Sequence, residues 1–459
     1  YNKTDYKAIW LDEERKLTDR GTDLLQTLHK SGHYGIDSKQ FNLNLIDSLI
    51  TTKEVLSDAL LTDGYLKFCT QIHAGKLYTK DTLADHLFSH INEKDISKDI
   101  NSIQPTHYEY QILAKGVYKY MESYKNDGAR VSIPSFKDDS MKCFNAVRKS
   151  LIVNHFFDST YFVNHDSLVS ALKQVQILHG MAPDGKPGRN TRQALSLSNK
   201  DRYYQAVLAL EKWRSKAAYP DKYIRVNIPT YKLQVWELDT LQRVHKVVVG
   251  SRVNQTPEFV ANMKTIVAFP FWHVPYSISS KELYYKAKKD STYLKRNGYT
   301  VFNDGAQLNS SSIDWSTVSP NRFPYKVRQN GGRGNSLGLV KFLFPNEHSV
   351  YLHDTPSKRF FKNDVRAYSH GCVRLHKPIE LAKFLLARDG NQIQGDTLDS
   401  LIGRRVQKTI YLKKKFPVYL EYITASADSS ENIIFHLDVY GRDKKYIKLL
   451  QNNPKQLEN

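Results

Sequence analysis

The sequence predicts a multidomain α+β protein, with a helical N-terminal scaffold that carries a small three-helix insertion and precedes a mainly β domain with a lid insertion. Two observations indicate this fold class. Apolar residues recur at helical spacing through the N-terminal part of the chain, and from Tyr223 onward their spacing changes to the two-residue period of strands. The length of 459 residues also favours two or three domains over a single hydrophobic core.

Residues 1–165 are predicted to form the helical scaffold. Leu24, Leu25 and Leu28 fall on one face of a helix, as expected for an amphipathic helix that packs on a core. Nothing in the segment concentrates histidine, cysteine or carboxylate side chains. A structural role is therefore the simplest interpretation of this part of the chain.

Residues 166–202 are predicted to form a small three-helix module. The first helix ends at His179-Gly180, and turn-forming Asp-Gly and Pro-Gly pairs follow before the second helix, which Asn190 or Thr191 is expected to cap. The spacing D-G-x-x-G-x-x-T resembles a peptidoglycan-binding module found beside many cell-wall enzymes. A capped helical hairpin without a ligand is the alternative. Residues 203–221 are expected to return as a helix to the scaffold.

Residues 222–412 are predicted to be the mainly β domain. Ile224 and Val226 alternate with polar residues, and Val244–Val249 is a β-branched run that ends at a glycine. A Lys- and Tyr-rich insertion, residues 276–330, interrupts the strands. An insertion of this size in a β domain favours a lid or binding flap.

The C-terminal segment, residues 413–459, is predicted to form a β-hairpin. Val418, Leu420 and Tyr422 alternate, a polar loop follows, and alternation resumes at Ile433.

The composition restricts the partners of the protein. With 67 Lys+Arg against 47 Asp+Glu, the formal charge of +20 favours polyanionic surroundings such as nucleic acid, anionic lipid or an anionic cell envelope. No zinc-finger, RNP-like or basic-region motif supports nucleic acid. No apolar run approaches the ~18–20 residues that span a bilayer, so we expect membrane attachment only through an N-terminal anchor outside this sequence. Three cysteines allow at most one disulfide, between Cys69 and Cys143 if Cys372 is the free thiol.

The strongest chemical signal is the pair His353 and Cys372. His353 ends a predicted strand, and Cys372 lies in Ser-His-Gly-Cys before a helix that Pro378 is expected to open. A cysteine nucleophile needs a base, access to substrate and backbone donors for the oxyanion. The small residue Gly371 gives access and a flexible backbone. The sequence therefore predicts a cysteine enzyme.

Two other interpretations of these residues are weaker. His353, His370 and Cys372 are all possible zinc ligands, but the paired spacing of common zinc sites is missing, so no metal is expected. The glycine-rich stretch 331–338 lacks the G-K-[ST] of a phosphate-binding loop. No cofactor is predicted.

The pattern H-x15-S-H-G-C-V-R from His353 to Arg374 resembles the signature of the L,D-transpeptidase (YkuD-type) catalytic domain. The Leu-His-Asp-Thr-Pro segment, the insertion and the outer modules are similar to its large YcbB-type branch. The resemblance implies Cys372 as nucleophile, His353 as general base, the backbone carbonyl of Asp354 as its partner, and backbone N–H groups of Gly371 and Cys372 in the oxyanion hole. His370 is expected to support catalysis, with a direct part in it left open.

The resemblance also implies a substrate groove. Arg374 is expected to bind a substrate carboxylate, and the Tyr351 side chain to assist the oxyanion hole. Ser369 belongs to the same signature. Asn335 lies in a loop that either lines the groove or is a plain turn, and Trp272 either forms the groove wall or belongs to the core.

The expected activity follows from this resemblance. Cys372 would form a thioester with the third residue of a peptidoglycan stem tetrapeptide, release the terminal D-Ala, and transfer the acyl group to another stem as a 3→3 cross-link. Transfer to water or to a D-amino acid would make the same site a carboxypeptidase or an exchange enzyme, and a non-catalytic peptidoglycan-binding protein is the alternative from another class. We expect a carbapenem adduct, a monomer, and an exported protein of the periplasm or cell envelope. The sequence leaves open the diamino acid, lid motion and oligomeric state.

Overall fold

The computed structural model describes residues 8–53, 55–77, 95–123, 128–161 and 164–451. The chain divides into two compact units. The helical unit comprises Tyr1–Ala218 and Ile423–Asn459, and the β unit comprises Tyr219–Tyr422.

The N-terminal part of the helical unit confirms the predicted helical scaffold. Its described α-helices are α1 Asp19–His29, α2 Leu43–Thr51, α3 Leu56–Ala74, α4 Ile96–Ile103, α5 Tyr108–Ser123, α6 Ser140–Val153, α7 His165–Leu178, α8 Arg189–Leu195 and α9 Asn199–Arg214. Leu24 and Leu28 of α1 are fully buried in one core with Trp10 and Phe68, as the helical spacing predicts. The side chain of Thr18 caps α1 by accepting a hydrogen bond from the Gly21 amide at 3.1 Å.

The predicted three-helix module has a different N-terminal boundary. Cys143 and Leu151 of α6 lie in one hydrophobic core with Leu172 of α7 and Leu195 of α8. The boundary at residue 166 therefore excludes a helix that shares the core of the module.

The turn between α7 and α8 is held by one buried amide. Gln176 donates to Asp184 Oδ1 at 2.7 Å and accepts from the Gly185 amide at 2.8 Å. The N-cap of α8 is Gly188, and no side chain caps this helix. The expected capping by Asn190 or Thr191 is therefore wrong. Thr191 is instead buried and bonded to Gln176 at 3.2 Å.

The β unit confirms the predicted mainly β domain. Its strands are β1 Lys222–Asn227, β2 Lys232–Glu237, β3 Thr240–Gly250, β4 Phe259–Ala268, β5 Trp272–Val274, β6 Tyr299–Asn303, β7 Ala306–Leu308, β8 Lys326–Gln329, β9 Val340–Leu343, β10 Leu352–His353, β11 Ala367–Ser369, β12 Val373–Leu375 and β13 Lys408–Glu421. The main sheet has the order β11-β3-β12-β10-β9-β4-β13-β1-β2, and β2 also pairs with β3. Because β2, the last strand of this order, pairs with β3, the eight strands from β3 to β2 close into a ring. This closure removes most exposed strand edges.

The lid insertion has a small fold of its own. Its helical segments are α10 Tyr276–Ile278, a π-helical turn Ser279–Leu283, α11 Tyr284–Lys289 and α12 Tyr293–Arg296. A second sheet in the order β5-β8-β6-β7 follows, with a core that includes Leu294, Val301 and Trp315. The sequence indicated helix and loop here and missed β6 and β7.

Two helices follow the strands of the active-site region, α13 Pro378–Asp389 and α14 Gly395–Gly403. Pro378 is the first residue of α13, as predicted, and Ala382, Leu385 and Leu386 are buried, whereas Ile379 is only partly buried. This helix thus begins directly after the strand that follows the cysteine.

The predicted C-terminal hairpin begins too early. Val418 and Leu420 lie in β13, which pairs parallel with β1 and antiparallel with β4 in the main sheet. The actual hairpin joins β14 Ala425–Ala427 to β15 Ile433–Phe435 in the helical unit, and helix α15 Asp443–Gln451 follows. The β unit therefore extends to Tyr422 rather than to residue 412.

Two further expectations concern cysteines and membranes. Cys69 and Cys143 are fully buried in different cores of the helical unit, and each is a free thiol, so the one disulfide that the count allowed is not formed. Within the described ranges, no helix combines the length and apolar character needed to cross a bilayer.

Candidate active site

The register of β10 and β12 brings the predicted catalytic residues to one face of the sheet. These strands are parallel, and His353 pairs with Arg374. The Val373 amide donates to the Tyr351 carbonyl at 3.1 Å, so the pairing continues back to the residues beside Cys372. Because side chains alternate, positions two residues apart share a face. The cysteine, histidine, tyrosine and arginine of the signature are thereby brought together.

These four side chains line a cavity of about 490 Å³. Trp272, Ser369 and His370 also line it, and the lid contributes Glu282, Lys286 and Tyr299. The lid residues were not predicted individually; only the Lys- and Tyr-rich composition of the segment indicated them.

Cys372 is held at the wall of this cavity with its thiol partly accessible. The Sγ–H donates to the Ser349 carbonyl at 3.8 Å. Burial raises the pKa of the Cys372 thiol above its ordinary value of 9.0, and hydrogen bonding to Tyr351 and the positive charge of Arg374 oppose this shift. The resting group is therefore a thiol at neutral pH. The preceding Gly371 has φ of 111°, a conformation that favours glycine.

His353 is buried and fixed in one tautomer. Its Nδ1 donates to the Asp354 carbonyl at 2.5 Å; because a carbonyl only accepts, Nδ1 carries the proton and Nε2 is left as the basic nitrogen. The hydrogen bond joins the two groups that the resemblance implied as partners. Burial lowers the pKa of His353 to about 3, and the positive charges of Arg374, Lys341 and Lys358 act in the same direction. The imidazole is thus neutral, and it lines the same cavity as the neutral thiol.

The carboxylate of Asp354 has a second function, which the sequence did not indicate. It accepts from the Leu339 amide at 2.9 Å and from the Lys358 ammonium. Gly338, at φ of 58°, packs so closely against it that a Cβ would collide with the carboxylate. One residue therefore orients the histidine through its carbonyl and holds the adjacent loop through its side chain.

Asn335 does not line the cavity. Its side chain is buried and bonds the backbone, donating to the Asn330 carbonyl at 2.8 Å and accepting from the Leu337 amide at 2.7 Å. These bonds engage the amide with the backbone of its own loop. Its neighbours Ser336 and Leu337 face the cavity instead.

The backbone around the cysteine differs from the predicted oxyanion hole. The Gly371 amide donates to Ser369 Oγ at 3.3 Å, and Ser369 Oγ–H donates to the Cys372 carbonyl. The Gly371 donor is therefore engaged in the unliganded protein. Thr256, which no sequence pattern singled out, fixes the Gly371 carbonyl from the other side at 2.8 Å.

His370 lines the cavity and contacts the lid. Its Nε2 contacts Glu282 Oε1 of the lid at 2.6 Å, and both side chains are about half exposed, at 47% and 43%. A direct catalytic role is not supported by this position. The pair instead joins the cysteine loop to the lid.

Arg374 and Trp272 occupy positions suited to substrate contact. Burial lowers the pKa of the Arg374 guanidinium, and the Cys372 thiolate form opposes this shift. Trp272 is half-buried on β5, and its side chain hydrogen-bonds that of Tyr351. This favours the groove wall over the core for Trp272. In the part of the chain that the structure describes, no three His, Cys, Asp or Glu side chains are grouped to hold a metal ion.

Comparison with known proteins finds two matching family models and a similar sequence. The family model of the YkuD L,D-transpeptidase catalytic domain matches residues 221–407, and that of a Scaffold domain matches residues 1–116. A Haemophilus influenzae protein provisionally named as an L,D-transpeptidase is 32% identical over 287 residues, which cover 60% of this chain and 57% of that protein. The match thus spans little more than half of its length.

Solved structures of two L,D-transpeptidases are also similar. The one from Mycobacterium smegmatis has 13% identity, covers 44% of this chain and 58% of its own, and has a TM-score of 0.18. The one from Stackebrandtia nassauensis has 14% identity, covers 65% and 94% of the two chains, and has a TM-score of 0.21.

Proposed function

We propose that this protein, whose residues 221–407 match the family model of the YkuD L,D-transpeptidase catalytic domain, is a cysteine acyltransferase that forms 3→3 cross-links in bacterial peptidoglycan. The observation that carries the proposal is the shared cavity of Cys372, His353 and Arg374, with His353 fixed so that its Nε2 is the available base. Peptidoglycan stem tetrapeptides are the proposed substrates.

In the first half-reaction the Cys372 Sγ attacks the carbonyl carbon of the third stem residue, at its L-centre. The His353 Nε2 accepts the thiol proton, and the same proton is then given to the nitrogen of D-Ala as the amide bond breaks. A thioester between Sγ and the stem remains. In the second half-reaction the side-chain amine of another stem attacks this thioester, a new amide bond forms, and the thiol is restored.

The resting cysteine and histidine of the site are both uncharged. A buried neutral thiol and a neutral imidazole carry no charge to be desolvated before the substrate arrives. Arg374 is the proposed partner of the D-Ala carboxylate, since its planar guanidinium binds carboxylates in bidentate fashion. The Tyr351 hydroxyl, beside the thiol, is the proposed side-chain donor to the oxyanion.

Three further parts of the proposal concern the biological setting. We propose that the protein acts in the periplasm or cell envelope, where the net charge of +20 favours an anionic wall. The lid insertion of the β unit and the helical module around α7 and α8 favour the large YcbB-type branch. A carbapenem, as an acylating mimic of the stem, is expected to acylate Cys372.

The direct test is product analysis with a purified disaccharide-tetrapeptide substrate. We expect a 3→3 linked dimer and free D-Ala from the unsubstituted chain, and neither from Cys372→Ala. Cys143→Ala, which removes a thiol of the helical unit, is the matched control and should retain both products.

Other outcomes would replace the proposal. Tripeptide without dimer would indicate a carboxypeptidase, and incorporation of an added D-amino acid without dimer would indicate exchange. A folded chain that binds the substrate and makes no product would indicate a peptidoglycan-binding protein. Dimer formation by Cys372→Ala would refute the cysteine mechanism.

A further inference from the structure

A second cavity lies within the helical unit and has no part in the chemistry above. This helical-unit cavity has a volume of about 290 Å³. Its lining combines apolar and polar side chains and includes Tyr120, Phe156, Leu178, Arg202, Ile433 and Phe435. It is formed by α5, α9 and the β14–β15 hairpin together with the residues that follow α6.

The unusual member of this lining is Arg202. Its side chain is only 1% exposed, and it lies over the Phe156 ring at 4.6 Å from the ring centre. One nitrogen, Nη2, donates to the Ala194 carbonyl at 3.1 Å. Among the described residues, neither Nε nor Nη1 has a hydrogen-bond partner. A buried cation with unsatisfied donors is costly, and such groups in proteins normally meet an anion or a full set of acceptors.

The carboxylates of the neighbouring Asp201 and of Glu431 in the cavity lining are paired with other cations. Asp201 binds the guanidinium of Arg130 through two hydrogen bonds of 2.7 and 2.5 Å. Glu431, which lines the cavity, is paired with Lys119 and lies 3.7 Å from Lys115. Both anions are thus neutralised by other cations.

We propose that the helical-unit cavity binds the carboxylate end of a small organic molecule, such as the C-terminus of a short peptide, through Arg202. A guanidinium matches the geometry of a carboxylate and supplies charge-assisted hydrogen bonds. The apolar side chains Phe156, Ile433 and Phe435 favour a ligand with an apolar group next to its carboxylate over a bare inorganic anion. The volume is sufficient for a fragment of one or two residues.

This site is independent of the proposed catalytic function, because every residue that forms it belongs to the helical unit. A ligand here would bind without contact to Cys372. The proposal therefore holds even if the protein has a different enzymatic activity, and a separate experiment tests it.

Calorimetric titration of the full chain tests the proposal. The probes are N-acetyl-D-alanine, its methyl ester and inorganic phosphate. We expect the acid to bind and the ester to bind at least about tenfold more weakly, because the ester lacks the charge that Arg202 recognises. Arg202→Gln should weaken binding of the acid by a similar factor. Arg189→Gln, which removes an exposed arginine from the same helical module, is the charge-matched control and should bind normally.

One variant separates this cavity from the catalytic one. Arg374→Gln should leave binding of the acid unchanged if Arg202 is the site, and should abolish it if the probe binds in the catalytic cavity. The proposal is overturned if the acid does not bind, if Arg202→Gln binds it as well as the unsubstituted chain does, or if phosphate binds as tightly as the acid. Should Arg202→Gln fail to fold, the comparison of acid with ester in the unsubstituted chain still decides the question.

Discussion

The reactivity of Cys372 toward an alkylating reagent depends on whether the resting site is a neutral pair or a thiolate–imidazolium ion pair. Burial raises the pKa of the Cys372 thiol above 9.0, and burial lowers the pKa of His353 to about 3. The imidazole is therefore neutral between pH 5 and pH 8 and supplies no positive charge that could stabilise a thiolate. Reaction with iodoacetamide should follow the small fraction of free thiolate.

The size of the effect follows from the pKa. With a thiol pKa of 9.0 or above, the thiolate is about 1% or less of the thiol at pH 7. This fraction changes tenfold with each pH unit below the pKa, so the alkylation rate should rise by about 100-fold between pH 6 and pH 8. An ion pair of the kind found in other cysteine enzymes, with a thiol pKa of about 3–4, would give a nearly constant rate over the same range.

The assay is the rate of mass gain of the intact protein, with the modified residue identified by peptide mapping. Cys372→Ala supplies the background, because the remaining thiols are fully buried and burial also raises their pKa, that of Cys69 to about 12. A rate that is flat from pH 6 to pH 8 in the unsubstituted chain would refute the neutral-pair description and the proton transfer built on it.

Two substitutions test the supports of the site by urea unfolding. Gly338→Ala should lower the free energy of unfolding by more than about 2 kcal/mol and reduce turnover, because a Cβ there meets the Asp354 carboxylate and positive φ alone costs about 1–2 kcal/mol. Gly334→Ala is the control and should change neither quantity, because the space around its Cβ is open. Equal effects of the two substitutions would contradict the packing of Gly338 against Asp354. Leu294→Ala should destabilise the lid insertion by about 2–5 kcal/mol, because Leu294 is 1% exposed in the core of the insertion. Tyr285→Ala, at an exposed position of α11, is the control and should cost under about 1 kcal/mol. An equally small loss of stability for both variants would show that the insertion has no core of its own.

Local patterns predicted the elements whose signals are local. The period-two spacing of Ile224 and Val226 marks a strand wherever it pairs, and β1 forms where it was expected. The signature around His353 and Cys372 likewise identified two residues that share a cavity, because the residue types needed by a cysteine nucleophile are few.

Patterns failed where partners distant in sequence decide the outcome. The alternation at Val418 and Leu420 indicated a strand correctly, but it could not show that this strand pairs with β1 and β4 instead of with the segment at Ile433. Alternation specifies the face of a side chain and not the neighbouring strand. The same limit applies to β6 and β7, whose Lys- and Tyr-rich surroundings obscured the strand period.

Side-chain amides and hydroxyls near the site were the least predictable. For the Asn335 loop the sequence left groove lining and a plain turn open, and the Asn335 side chain bonds the backbone of that loop. Thr256 holds the Gly371 carbonyl without any motif to mark it. Whether such a group hydrogen-bonds to substrate or to backbone depends on donor–acceptor distances of about 3 Å. The spacing of residues in the sequence does not specify these distances. The lid contact of His370 with Glu282 belongs to the same class.

The central claim is that the Cys372 sulfur forms a covalent acyl bond with the substrate while His353 moves the proton. Intact-protein mass spectrometry after incubation with a carbapenem measures this most directly. We predict a gain of one carbapenem mass, mapped to the peptide that contains Cys372, with no gain in Cys372→Ala and a much slower gain in His353→Gln. An adduct that maps to another residue, or a mass gain that persists in Cys372→Ala, would contradict the account.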